Sequence, residues 1–364
     1  MNTLLSIRSI STTQVSASPA LLGVILALAV AGSAFAGEIP RTSWGAPDLQ
    51  GTYDFKSITP FERPKQFGNK EVLTAKEVEE YEAKARLASV ERRKKINSED
   101  FQSQGDLDVG YNAIFLDKGF KMTGTRRTSL VVDPPNGRMP ALTEDAKSRS
   151  TARIARWGQL PGSTEDRNPL ERCIQGFNAG PPMNPGAYNN FVEVFQSKDH
   201  VALVTEMIND HRVIPLDGRD HVSQDIRLWK GDSRGHWDGD TLVVRTKNFT
   251  DQTNFRGSGM NMILEERFTR EDNGNLRYEY TVTDPESFAN PFSVAMEMVR
   301  TEDPLLEYAC HEGNRAMTLM LRGARVREAK GDTDASDWLA SWYGGAKAVK
   351  AAEDKLKEAG ATEK

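Results

Sequence analysis

Two short stretches of this 364-residue chain gather the side chains that could do acid–base or metal chemistry. EMINDHRVIPLDGRDH, from Glu206 to His221, offers Glu206, Asp210, His211, Arg212, Asp217, Arg219, Asp220 and His221. EYACHEGN, from Glu307 to Asn314, offers Glu307, Cys310, His311 and Glu312. A histidine oriented by a carboxylate makes a general acid–base pair, and a nearby arginine can hold an oxyanion or a substrate carboxylate. On this reading His311 is the base and Glu312 or Glu307 orients it. His221 and Arg212 are the opposing acid and anion clamp, and Glu206, Asp210 and Trp237 contact the ligand. The same set is compatible with a divalent metal, and no other cofactor is implied.

Each of these residues also has a plain structural reading. Asp217-Gly218 and Asp220 are common turn formers. Glu206 alternates with apolar neighbours and reads as the solvent face of its strand. Arg212 reads as a surface or sheet-edge ion pair, His311 as a residue held beside a cysteine, and Trp237 as an aromatic plug of a barrel. The chain has no P-loop, no G-x-G-x-x-G after a strand, no G-x-S-x-G elbow and no H-E-x-x-H. Their absence argues against nucleotide-dependent, standard serine-hydrolase and zincin chemistry.

The elements that must position these residues are mostly strands. Phe191–Gln196, His200–Met207, Arg212–Leu216, Thr241–Phe249, Met262–Thr269, Leu276–Val282, Phe292–Val299 and Leu305–Cys310 are apolar or alternating, with Asp/Gly/Asn turns between them. Eight short strands at that spacing predict a mainly β fold, an antiparallel barrel or sandwich. Asp238-Gly239 and Asn273-Gly274 are hairpin turns. Further strands are expected at Gly51-Thr52-Tyr53 and within Tyr111–Val132. Thr74-x-x-Glu77 is a capping box opening a charged helix to about Ile96, and a second helix is expected over Glu144–Trp157. A Gly/Pro/Asn-rich loop from Leu160 to Asn190 follows, and a loop of that length is either functional or pinned. The tail, Ser336 to Gly360, reads as a helix whose Trp338 and Trp342 share one face.

Arg8 precedes an apolar run, Leu21–Gly32, and Ala34-Phe35-Ala36 makes a small-x-small box before Gly37. This is the pattern of a secretory signal peptide over residues 1–36. The run is too short to span a bilayer, and no later segment is apolar enough, so no membrane insertion is expected after cleavage. With Arg8 removed, 46 of the 47 basic residues remain against 52 acidic, a net charge of −6. Such a chain repels phosphate backbones, which disfavours nucleic acid as a partner. Export to the periplasm or beyond makes a disulfide the default for Cys173 and Cys310, the only cysteines. Closing so long a loop stabilises by on the order of 4–5 kcal/mol in the chain-entropy picture. The organisation expected is a single β-rich domain over 37–330, a helical and loop insertion at about 74–190, and a helical tail over 331–364.

At EMINDHRVIPLDGRDH, and more at GDSRGHWDGDTLVVRTKNFTDQTNFRG (Gly231 to Gly257), the chain resembles a family of predicted exported bacterial proteins, mostly uncharacterised. PDLQGTY (Pro47 to Tyr53), RTSLVVDPPNGRMPALT (Arg127 to Thr143), ERC (Glu171 to Cys173) and EYACHEGN fit the same pattern. The resemblance implies one intact domain and carries no activity. The chain departs from the pattern at Asn209, where the family often has a histidine, and at His211, where a small residue is common. That leaves His221 and His311 ahead. A looser similarity is to lipocalin-type barrels (calycins), with Gly51-Thr52-Tyr53 in place of Gly-x-Trp and Arg322 or Arg325 as the late-strand arginine. It favours the barrel over the sandwich.

Three functions follow as expectations. The first is an exported β-barrel enzyme, a lyase, isomerase or hydrolase, acting on a small organic molecule. The second is a non-catalytic periplasmic carrier of an apolar or aromatic ligand, lined by residues such as Phe191, Met207, Met296 and Met298. The third makes the helix from Ala75 to Ile96 a docking arm for an envelope partner. A packed interior would count against the carrier.

Overall fold

The computed structural model describes residues 39–96, 117–253, 255–332 and 354. Ten strands make one antiparallel sheet: β1 (Gly51–Asp54), β2 (Val131–Asp133), β3 (Phe191–Gln196), β4 (His200–Thr205), β5 (Asp210–Pro215), β6 (Asp232–Asp238), β7 (Thr241–Lys247), β8 (Ile263–Arg270), β9 (Leu276–Thr283) and β10 (Phe292–Thr301). The strand order is β5-β4-β3-β1-β10-β9-β8-β7-β6, with β2 pairing β10 off this path. Three α-helices accompany it among the described residues: α1 (Ala75–Ile96), α2 (Glu144–Trp157) and α3 (Ala316–Ala329).

Alternation explains the packing. Successive strand side chains point to opposite faces, so Leu276, Tyr278, Tyr280 and Val282 of β9 fall on the same side as Phe292, Val294, Met296 and Met298 of β10, all buried. Tyr53, Val192, Val201, Ile214, Val244 and Leu264 join them in one core. Fully burying each large apolar side chain contributes about 1.5–3 kcal/mol. The two ends of the sheet, β5 and β6, lie against each other. A Cβ on Gly235 would stand 2.7 Å from Leu216 Cδ2 and 2.9 Å from Ile214 Cγ2. Glycine therefore permits the approach. No hydrogen-bonded ladder joins β5 to β6, so the sheet is not closed.

Several sequence-based expectations need correction. Residues 302–309 form no strand; Leu306 N–H is held by the Glu206 carboxylate and Cys310 by Cys173, so this backbone is committed elsewhere. β6 was not expected, because DSRGHWD buries Asp232, Ser233 and Gly235 instead of apolar side chains. Of Tyr111–Val132, residues 111–116 lie outside the described residues, and only Val131–Asp133 is a strand. Arg322 and Arg325 lie on α3, a helix the sequence reading did not place. The arginine that lies beside Gly51-Thr52-Tyr53 is Arg300 of β10. Its guanidinium lies 6.0 Å from the Tyr53 ring centroid and donates to Gln50 O at 2.7 Å. It also covers Gly51, whose φ of +134° favours glycine. Trp338 and Trp342 lie outside the described residues.

α1 and α2 begin and end where the sequence placed them. Thr74 and Glu77 close the capping box reciprocally at 3.3 and 2.8 Å. α1 is tied down by buried Glu82, which accepts from Lys121 Nζ at 2.8 Å and Met122 N at 3.1 Å. At α2 the Thr143 hydroxyl accepts from Ala146 N and donates to Glu286 O at 2.7 Å, fixing both the start of the helix and its contact with the β9–β10 connection.

Candidate functional site

Of the first ionisable stretch, Glu206 comes near the second, at the backbone just before it. Glu206 is buried at the end of β4, and its carboxylate is hydrogen-bonded to the Asn189 side chain and to Leu306 N–H. Burial raises its pKa, and those donors and Lys56 oppose the rise. Beyond Leu306, Glu307, His311 and Glu312 all lie exposed, the last two on the turn after Cys310. Cys310 is bonded to Cys173 with Cα atoms 5.9 Å apart, as the sequence led us to expect. Asn314 Nδ2 donates to Cys310 O at 3.0 Å and holds that turn.

His221 lies elsewhere. Its Nδ1 is 2.9 Å from Asp232 Oδ2, which also accepts from Val222 N at 3.1 Å. Arg234 donates to the other oxygen at 2.6 Å. Burial lowers the His221 pKa, while Asp232 raises it. No hydrogen bond or ion pair joins His221 to His311 among the described residues.

Arg212 points into the sheet interior and is fully engaged. Nη1 and Nη2 lie 2.5 and 3.0 Å from the Glu266 carboxylate, which accepts in turn from Tyr278 OH at 2.7 Å. Asp210 pairs with Lys230. Burial pulls the Lys230 ammonium down to about 8. The space among Asp210, Arg212, Lys230 and Met183 is a void of only about 10 Å³. Trp237 is half-buried against the core. Among the described residues no three His, Cys, Asp or Glu side chains gather as a metal-ligand group, and no helix is long and apolar enough to cross a membrane.

A roomier space is a surface cleft the sequence reading missed. It lies between α2, the Cys173 loop and the segment after β7, and comprises two adjoining cavities that share Trp157, Pro169 and Gln252. One, of about 280 Å³, is walled by Leu170, Phe177, Pro181, Pro182 and Phe255. The other, of about 310 Å³, is lined by Arg149, Arg153, Arg156 and Arg167, with Glu165 and Asp251. The sequence signal was the spacing of Arg149, Arg153 and Arg156, at i, i+4 and i+7, which puts three guanidinium groups on one face of α2. The loop wall is bolted to the sheet: Met183 N donates to Tyr278 OH at 3.1 Å, and Tyr280 OH donates to Asn184 Oδ1 at 2.7 Å.

No protein-family model and no curated protein matches the chain. Among solved structures, the wild-type fluorescent protein UnaG is similar at 13% identity over 37% of this chain and 90% of its own, with a TM-score of 0.20. A point mutant of UnaG gives 14%, 37%, 86% and 0.21. At those scores the likeness carries no assignment of fold or ligand.

Proposed function

We propose that this is an exported small-molecule-binding protein whose ligand sits in the surface cleft, with the sheet serving as a barrel-like scaffold open at the β5–β6 seam. The observation that carries this reading is the contrast between the two volumes. The sheet interior is filled by side chains including Tyr278, Tyr280 and the Arg212–Glu266 pair. The cleft leaves cavities of about 280 and 310 Å³, near the lower end of the 300–1,000 Å³ typical of ligand sites. The interior-lining role expected of Met296 and Met298 thus becomes a packing role. Export is supported by the disulfide, which persists in oxidising compartments. Native mass spectrometry of protein recovered from the periplasm tests this. A bound organic mass that disappears in Gln252→Trp, which plugs both cavities, supports it; a mass retained by that variant counts against it.

A second reading, acid–base catalysis, is favoured by the His221–Asp232 pair. A base oriented by a carboxylate that is itself held by Arg234 is the arrangement such chemistry uses. Turnover of small esters, lactones or hydroxy acids that is lost in His221→Gln would establish it. Turnover unaffected by that change would dismiss it.

A further inference from the structure

Resting on the cleft as the binding site, we infer that its ligand is an amphipathic organic anion, with an apolar or aromatic body against Leu170, Phe177 and Phe255 and one anionic head held by Arg149 and Arg153. The argument is a charge balance. Of the four arginines lining the larger cavity, Arg156 is paired with Asp166 at 3.0 Å and Arg167 with Glu171 at 2.9 and 2.6 Å. The Glu165 carboxylate is already taken by Arg172 at 2.9 Å. Among the described residues, Arg149 and Arg153 have only neutral oxygens as direct partners: Ser287 Oγ at 2.8 Å and Asp251 O at 3.0 Å. The Asp251 carboxylate acts on Arg153 through space, without a direct ion pair.

Two guanidinium groups one helical turn apart repel each other. The consequence is visible at Arg153, whose pKa is lowered by burial first and then by Arg149, with Asp251 opposing. An anion seated between them would relieve that repulsion, and the planar guanidinium fork suits carboxylate, sulfonate and phosphate oxygens alike. The second cavity, reached past Trp157 and Gln252, is walled by rings, prolines and Leu170, and supplies no comparable charge. One cationic end joined to one apolar end selects an amphipathic molecule over a free inorganic anion.

Two dyes that differ by one sulfonate make the test: anilinonaphthalene sulfonate and neutral phenylnaphthylamine, each titrated by fluorescence into the full-length oxidised protein. The sulfonate dye is expected to bind at least about tenfold tighter. That advantage should fall about tenfold for each of Arg149→Gln and Arg153→Gln, the range for a charge-assisted hydrogen bond, and weaken with added salt. Arg149→Lys and Arg153→Lys keep the charge and should keep most of the advantage, which guards against misfolding of the glutamine variants. Equal binding of the two dyes, or an advantage that survives in the double glutamine variant, overturns the anionic head and leaves the binding site standing. Loss of both dyes from the wild type, or binding of both unchanged by Gln252→Trp, overturns the site and the inference with it.

Discussion

Arg212 of β5 and Glu266 of β8 face each other inside the sheet from strands that are not neighbours in its order, joined by two hydrogen bonds of 2.5 and 3.0 Å. Tyr278 extends the pair. Burial holds its hydroxyl well above the ordinary range, so it stays protonated, donates to Glu266 and accepts from Met183 N in the loop that walls the cleft. One buried chain of polar contacts thus runs from β5 to the candidate site.

Breaking that pair should be costly, and removing it whole should not. Glu266→Leu leaves a buried guanidinium uncompensated and is expected to lose about 3–5 kcal/mol in urea unfolding. Arg212→Met combined with Glu266→Leu should lose much less. A double variant as unstable as the single one would show that the pair contributes more than its own neutralisation.

The His221–Asp232 pair has a defined pH signature. The folded pKa of His221 lies below its ordinary 6.5 because burial outweighs the attraction of Asp232. The contribution of neutral His221 to stability is therefore fully present above 6.5 and is lost as pH falls through the lower folded value. NMR titration of the five histidines should find His221 below 6.5 and lower still in Asp232→Asn, since Asp232 raises it. A rise in Asp232→Asn would contradict the pairing.

The Cys173–Cys310 bridge closes a sequence separation of 137 residues and holds the cleft loop against the 302–314 segment. Cys310→Ser should lower stability by about 2–5 kcal/mol and weaken phenylnaphthylamine binding. An unchanged urea midpoint would show that the loop is anchored by Met183 and Asn184 alone.

Much of the fold was legible because period-two alternation and turn chemistry agree, as in Leu276 to Thr283 and in the Asn273-Gly274 hairpin. β6 was hidden because its buried positions are Asp232, Ser233 and Gly235, whose burial depends on partners from other elements: His221, Thr246 and the side chains of β5 and Leu216. Residues 305–310 misled because an apolar, strand-like run was diverted by one buried carboxylate and one disulfide. The site residues divided in the same way. His221, Arg212, Glu206 and Asp210 stood out by type, but whether a charge is free or satisfied is decided by residues far away in sequence, such as Glu266 and Lys230. The cleft arginines carried a readable spacing on α2, yet Gln252, Phe177 and Phe255 come to them only through tertiary packing.

The most direct test of the central claim is to titrate phenylnaphthylamine into the wild type, Gln252→Trp and Phe268→Leu, the last enlarging the sheet interior and leaving the cleft intact. Binding that is abolished in Gln252→Trp and kept in Phe268→Leu is the predicted result. Binding that survives the plug at Gln252 and shifts with Phe268 would place the ligand inside the sheet and contradict the account.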